Sequence, residues 1–495
     1  MFVSIISEMF NKKDNITIAI IGGGYIGATT AIHLARYSQQ QLNICIIEPS
    51  DSLGEGIAFS TKDEDHRLNG PTGIQFLYPE NTESFNEWHE NSGAKAADPG
   101  SIAVDGRVYA RRSDFGAYVA SEVLSHQKKN PSNSIIKHYQ DTAFSLSKNK
   151  GDWSIELLSR DKICAKIVIV TPCNFSPAIP FELKELVRHP MVYTNPWNIA
   201  KFSGIAPNAN ILIIGTGLTM SDVTVSLLRD GPMRKITAIS RRGLRPKNQR
   251  NHPPIQPIWK ALNRPVPAFI ERHGLPKTIL AIFQAFRADI ARLKAENIEW
   301  QVAFDELRDA AYQLWPSLPL AEQARYFRHL SPWYDTHRFR LPPQVEEKLL
   351  GYLLDGHLKY RVGFLGDLTT KGSLIEVKIR ARGKTKYNSE RFDAVINCTG
   401  PDRDPLRSGN PFLVHLIHKG FATASSFGLG LEVDQSCQSM PSRDVEANQL
   451  FMLGPLTRNQ FGEINGIPSI VHQIYRVTRE ITTSIFQEIS NQDSL

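Results

Sequence analysis

Residues 15–37 read "NITIAIIGGGYIGATTAIHLARY", and the way this run divides decides the fold. Its opening, "NITIAII", is rich in β-branched side chains and stops at a glycine, the pattern of a short buried strand. Gly22, Gly24 and Gly27 then fall at GxGxxG spacing, and "ATTAIHLARY" continues with helical apolar spacing. Strand, tight turn and helix in that order make a pyrophosphate cradle. Gly22 permits the turn, Gly24 lets the backbone approach the ligand, and Gly27 lets the helix lie close to the strand. The unpaired N–H groups of the helix N-terminus face the anion. The next strand, "LNICIIE", ends at Glu48, 21 residues beyond Gly27, near the distance at which an acid meets a ribose hydroxyl. A carboxylate there repels a 2′-phosphate, so this half is expected to hold FAD or NAD and not NADP.

The arrangement returns at residues 208–231, "NANILIIGTGLTMSDVTVSLLRDG", followed by the strand "KITAIS". Gly215 and Gly217 make the turn, and Met220 stands where the third glycine is expected, which predicts a helix held farther from its strand. After this second strand come Ser240, Arg241 and Arg242 instead of an acid. A hydroxyl and two guanidiniums suit a 2′-phosphate; the alternative is a solvated basic loop. One fold prepared for a 2′-hydroxyl and one for a 2′-phosphate point to FAD in the first half and NADPH in the second. Two similar strand endings, "AKIVIVTPCNFSPAIP" and "RFDAVINCTGPDRDP", bracket the second half. The expected fold is therefore α/β, with two Rossmann-like dinucleotide-binding domains, the second inserted in the first and itself carrying a helical insertion. The expected divisions are 14–200 and 391–495 for the FAD domain and 201–390 for the NAD(P)H domain, with the helical insertion at about 253–350.

Composition narrows the function. A chain of 495 residues with 41% apolar and 22% charged residues is ordinary globular material, too long for one core. The net charge of +7 comes from dispersed Lys and Arg, so no nucleic-acid partner is expected. Five cysteines fall at no metal-like spacing and form no CxxC, which suits a reducing compartment, implies no metal and removes the dithiol reductases. The opening "MFVSIISEMF" lacks a basic lead and a cleavage site, and no stretch approaches the roughly 18 apolar residues of a membrane span. The reading is a cytoplasmic protein with no membrane partner; the sequence is silent on oligomeric state.

Four local stretches add candidate site residues. In "HRLNGPTG", Asn69 with Gly70 and Gly73 lies against the flavin ring or diphosphate, or forms an ordinary turn. "RRSDFGAYV" starts a helix with Ser113 as the expected N-cap, which leaves Arg111 or Arg112 near cofactor phosphates, Arg112 being the one singled out; the alternative is a solvated pair of arginines. In "EINGIPSIVHQIYRV", Asn465, Gly466 and Ile467 precede a helix begun by Pro468, whose free N–H groups would stabilise negative charge on a reduced flavin, unless it is a capped surface helix. Residues 253–350 carry many aromatics, mostly expected to pack. At their end, in "WYDTHRFRLPP", His337 and Arg338 either anchor an anionic substrate or the coenzyme, or tie the insertion down.

Spread in order over residues 18–475 are "GEGIAFST", "HRLNGPTG", "YARRSDFGAYV", "NPW", "GTGLTMSD", "ITAISRRGLRP", "YDTHRFRLPP", "VINCTGP" and "LGPLTRNQFGEINGIPSI". Together they resemble the YdhS-like FAD/NAD(P)-binding family of two-dinucleotide-binding flavoproteins. "GTGLTM" belongs to that pattern, which makes Met220 a family trait; "TPC" at 171–173 departs from the Ala-Thr-Gly turn usual in the wider group. The resemblance implies a FAD-dependent oxidoreductase. Some relatives look like monooxygenases that hydroxylate small polar substrates. The leading expectation is an NADPH-using monooxygenase: reduced flavin takes molecular oxygen, and the flavin hydroperoxide oxygenates a small amine or amino-acid-like substrate. Such chemistry needs no side-chain acid or base, so no catalytic residue is singled out. The alternatives are an oxidase or dehydrogenase with a structural second fold, and a non-catalytic flavin-binding protein.

Overall fold

The computed structural model describes residues 16–492 except 150, 173–174, 253–256 and 443–444; the opening run and Cys173 lie outside the described residues. Five parallel strands make the first sheet. β1 (Thr17–Ile21), β2 (Asn43–Ile47) and β3 (Ile135–Tyr139) come first, and an antiparallel excursion follows through β4 (Ala143–Asn149), β5 (Asp152–Leu157) and β6 (Lys162–Ala165). β7 (Ile167–Val170) and β15 (Leu450–Met452), from the far end of the chain, complete the order β15-β7-β1-β2-β3. β1, β2, β7 and β15 are apolar at nearly every position because both faces are covered, and Ile18, Ala19 and Ile20 are fully buried; the edge strand β3 is half exposed. Helix α1 (Tyr25–Tyr37) is buried from Tyr25 to Ala35. It packs against the C-terminal helix, while α2 (Arg112–Lys128) covers its other side.

The second sheet occupies the sequence between β7 and β15. Its strands are β8 (Val192–Tyr193), β9 (Asn210–Ile214), β10 (Lys235–Ser240), β11 (Leu358–Lys371), β12 (Leu374–Ala381), β13 (Asn388–Phe392) and β14 (Ala394–Asn397), in the order β13-β12-β11-β10-β9-β14-β8. β14, expected on the FAD side of residue 391, pairs in parallel with β9, Val395 opposite Leu212. β8, expected before the crossing at 200, pairs with β14. The sheet therefore takes in residues 192–397. Strands ending in similar Gly/Pro turns look alike in sequence, and only the long-range pairing assigns them.

Helix α3 (Leu218–Asp230) follows β9. Between β10 and β11 lies a series of helices from Ile258 to Leu354, among them α4 (Ile279–Ala295), α5 (Gln301–Leu314), α6 (Ser331–Arg338) and α7 (Pro343–Leu354). Its aromatics pack as expected: Phe286 meets Phe304 edge-on at 4.7 Å between ring centroids. Tyr312 stacks on Phe461 at 4.6 Å, and the Trp315 indole donates to the Asn459 carbonyl at 2.7 Å. The insertion is thereby pinned to the segment leading into α8 (Ile467–Gln492). No helix among the described residues is long and apolar enough to cross a membrane.

Candidate functional site

The glycines of the two fingerprints serve different ends. Gly22 has φ +98°, open to glycine at no steric cost, and a Cβ on Gly27 would stand 1.9 Å from the Gly22 carbonyl oxygen. Both are required by the chain's own packing. Gly24 faces Gly56, whose Cα lies 3.3 Å from where a Cβ would be. At Gly217 nothing lies within 4 Å of that position. The fold does not need a glycine there, and the open space is what backbone approach to a ligand requires. Neither α1 nor α3 has a side-chain cap at its N-terminus, so each leaves first-turn N–H groups for an anion.

Glu48 stands just past β2 with Oε2 accepting from the Gly23 amide at 2.8 Å. It is held beside the fingerprint turn. Met220 is fully buried, and its sulfur accepts from the Thr224 hydroxyl at 3.3 Å. The third-glycine place is thus a core position of the second domain. Past β10, Ser240 Oγ accepts from the Gly243 amide at 3.0 Å and lies 2.9 Å from Thr216 Oγ1. Arg241 and Arg242 are exposed, with no ion pair among the described residues. Two free guanidiniums beside a shaped turn are able to receive a phosphate.

A cavity of about 510 Å³ opens where the two domains and the insertion meet. Asn69 and Arg112 line it from the first domain, Leu218, Thr219 and Asp222 from the start of α3, and Asn465, Gly466 and Ile467 from the approach to α8. Arg250, Asp305, Arg308, Asp309, Arg338 and Arg340 complete a charged wall. Of the sequence candidates the cavity brings together Asn69, Arg112, Arg338, Asn465, Gly466 and Ile467. The fingerprint glycines, Glu48 and Ser240 to Arg242 lie outside its lining.

Three candidates look different in the structure. α2 begins at Arg112 itself with Arg111 at the N-cap, so Ser113 is inside the helix and caps nothing. Arg112 is not free: its guanidinium pairs with Asp222 at 2.8 Å and donates to the Arg67 carbonyl at 2.9 Å. It clamps α2 to α3. His337 does not line the cavity. Its ring stacks on Phe304 at 5.2 Å, and Nδ1 sits 2.7 Å from the Trp333 carbonyl oxygen, the contacts of a packing residue. Arg338 does reach the cavity but is paired with Glu463 at 2.7 Å, a carboxylate that also accepts from the Tyr334 hydroxyl.

Sequence reasoning missed Asp222, Arg250, Asp305, Arg308, Asp309 and Arg340. The three on α5, Asp305, Arg308 and Asp309, stand at i, i+3 and i+4 in "FDELRDAAYQL", one helix face, which reads as solvated in an isolated helix. Here that face is half-buried and lines the cavity. Burial alone would raise the Asp305 carboxyl, but the guanidiniums of Arg340, Arg308, Arg338 and Arg250 hold it below the ordinary range. Asp309 goes the other way, raised by burial against the charge of Arg308.

Residues 19–175 match the family model described as FAD-NAD(P)-binding. No curated protein matches the chain. Solved structures match it along nearly its whole length. The ornithine N-hydroxylase KtzI of Kutzneria sp. 744, determined with reduced FAD, NADP+ and L-ornithine, superposes with a TM-score of 0.63 at 13% identity, covering 96% of this chain and 99% of that one. The ornithine hydroxylase PvdA of Pseudomonas aeruginosa gives 0.61 at 15% identity, covering 95% and 99%. The cadaverine monooxygenase DfoA of Erwinia amylovora, bound to FAD, gives 0.62 at 13% identity, covering 95% of each chain. The chain has the fold of these two-dinucleotide-binding proteins.

Proposed function

We propose that the protein is a FAD-dependent, NADPH-using monooxygenase that hydroxylates a small amine or amino-acid-like substrate with molecular oxygen. The observation that carries this reading is the convergence of both dinucleotide folds on one cavity. Asn69 and the residues before α8 come from one side, and the first turn of α3 from the other.

The residues fit the two cofactors. For FAD we assign Gly22, Gly24, Gly27 and Glu48 with the uncapped N-terminus of α1, together with Asn69, Asn465, Gly466 and Ile467. For NADPH we assign Gly215, the open position at Gly217, and Ser240, Arg241 and Arg242. A bound flavin supplies the redox chemistry, accepting hydride from NADPH and activating oxygen. The chain does the rest. The N-terminus of α8, a helix of 26 residues, presents the positive end of its dipole to the cavity. Arg112, anchored by Asp222, fixes the two domains across the site. The insertion supplies the charged wall of the cavity, Asp305, Arg308, Asp309, Arg338 and Arg340. The match of residues 19–175 to a FAD-NAD(P)-binding family and the whole-length similarity to amine-hydroxylating monooxygenases support the assignment. We place the protein in the cytoplasm.

The test is to purify the yellow protein and follow NADPH oxidation and oxygen uptake together over a panel of amines and amino acids. The reading requires that NADPH reduce the flavin and that one substrate emerge hydroxylated. Substrate-dependent flavin reduction without NADPH would establish an oxidase instead.

A further inference from the structure

The cavity wall holds one more cation than its carboxylates neutralise. Arg112 is matched by Asp222 at 2.8 Å, Arg338 by Glu463 at 2.7 Å and Arg308 by Asp309 at 2.6 Å. Arg107 is taken by Asp105, its Nε donating at 2.7 Å, and Arg340 donates to Asp305. Glu306 is engaged by Arg272. Glu299, the remaining acid near this wall, accepts the Asn251 amide at 2.8 Å and pairs with His252. Arg250 is left over. Its side chain is 10% exposed, and its one ion pair among the described residues is a distant one of 3.9 Å to Asp305, a carboxylate already bound to Arg340. Among the described residues its guanidinium donates no hydrogen bond, and it lines the cavity.

A guanidinium withdrawn from water without a partner is costly, and its charge is strengthened by the low dielectric around it. Burial and the neighbouring guanidiniums of Arg107 and Arg308 lower its proton affinity. The group is built to receive an anion. Its planar fork matches a carboxylate in two parallel hydrogen bonds. The 2′-phosphate is provided for elsewhere, at Arg241 and Arg242. We propose that Arg250 binds a carboxylate of the substrate, so that the protein takes an amino acid or another carboxylate-bearing amine and rejects a bare diamine. This rests on reading the cavity as the substrate chamber.

The test uses binding and needs no turnover, so its failure is separate from failure of the monooxygenase reading. Thermal melting of the flavin-loaded protein is followed with sodium succinate, L-lysine and cadaverine at equal ionic strength; the last two differ by one carboxylate. Succinate or L-lysine should raise the melting temperature of the parent, and cadaverine should not. Arg250→Gln should weaken that binding by about 10- to 100-fold, and Arg250→Lys, which keeps the charge but loses the fork, should retain part of it. Without added anion, Arg250→Gln should melt no lower than the parent, because an unmatched buried charge has been removed. No stabilisation of the parent by either carboxylate, or equal stabilisation by cadaverine, overturns the proposal. So does undiminished binding in Arg250→Gln. NADP+ titration separates the other source of anionic groups: a tenfold loss of NADP+ affinity in Arg250→Gln assigns the residue to the coenzyme and also overturns it.

Discussion

Single residues divide here into those that serve the fold and those that serve a ligand, and the fingerprint glycines divide that way within one motif. A Cβ on Gly27 would meet backbone oxygen at 1.9 Å, whereas one on Gly217 meets nothing within 4 Å. Gly27→Ala should therefore compromise folding. Gly217→Val should melt like the parent yet bind NADP+ at least about tenfold more weakly, a pair of outcomes checked by calorimetry and equilibrium titration. If Gly217→Val binds NADP+ normally, the second fingerprint is not a coenzyme site. Two histidines, His33 fully buried and His472 half-buried, make a separate prediction. Burial lowers His33 from 6.5 to about 4, and burial with the nearby Arg476 charge does the same for His472. Between those values the unfolded chain takes up protons that the folded chain refuses. Stability is therefore intact above pH 6.5, falls as the pH drops towards 4, and loses nothing further to these groups below that. Each pKa unit is worth about 1.4 kcal/mol, so each histidine contributes on the order of 3 kcal/mol over the whole window. Urea unfolding at several pH values should show the fall, and His472→Phe, which preserves the ring packing against Trp259 and Tyr312, should reduce it by about half.

At the scale of elements, the end of β10 decides coenzyme choice. Arg241 and Arg242 are exposed and unpaired among the described residues, so they are able to turn to a 2′-phosphate. Charge-assisted contacts of that kind are worth roughly 1.5–3 kcal/mol, or one to two decades. The Arg241→Ala, Arg242→Ala double variant should raise KM for NADPH by about that factor and leave kcat and NADH kinetics nearly unchanged, since the 2′-phosphate is remote from the hydride. Equal use of both coenzymes by the parent would remove the assignment. Local pattern made these elements legible: the runs before Gly22 and Gly215 are short apolar strands buried on both faces, and the runs after them are helices buried over most of their length. What pattern does not carry is partnership. β14 reads as a buried strand in either sheet, and only its pairing with β9 places it. Likewise Asp305, Arg308 and Asp309 read as a wet helix face until the insertion folds back over them. Arg250, in the loop after β10, has no periodicity to betray it.

At the scale of the whole molecule, one loop and one helix of the first domain hold the second in place. Asp63 accepts the Ser226 hydroxyl at 2.6 Å and pairs with Arg229, His66 Nε2 lies 3.0 Å from Ser226 Oγ, and Asp65 pairs with Lys348 of α7. Arg112 to Asp222 is more buried than the Asp63–Arg229 and Asp65–Lys348 pairs that also join the domains, with side chains 11% and 8% exposed. Both residues face the cavity, so the pair is a strut between domains, a part of the site, or both, and a double-variant cycle tells these apart. Asp222→Asn leaves the Arg112 charge buried without a match and should cost about 3 kcal/mol in urea unfolding. Removing both charges in Arg112→Met with Asp222→Leu should restore much of that, because packed apolar side chains replace a desolvated pair at little net cost. A strut alone would then be repaired. If Arg112 also orients the cofactors, the restored protein should still reduce its flavin with NADPH more slowly than the parent, by tenfold or so in a stopped-flow trace. Recovery of both stability and reduction rate would confine Arg112 to joining the domains, and leave the charged wall of the insertion as the part of the cavity that reads the substrate.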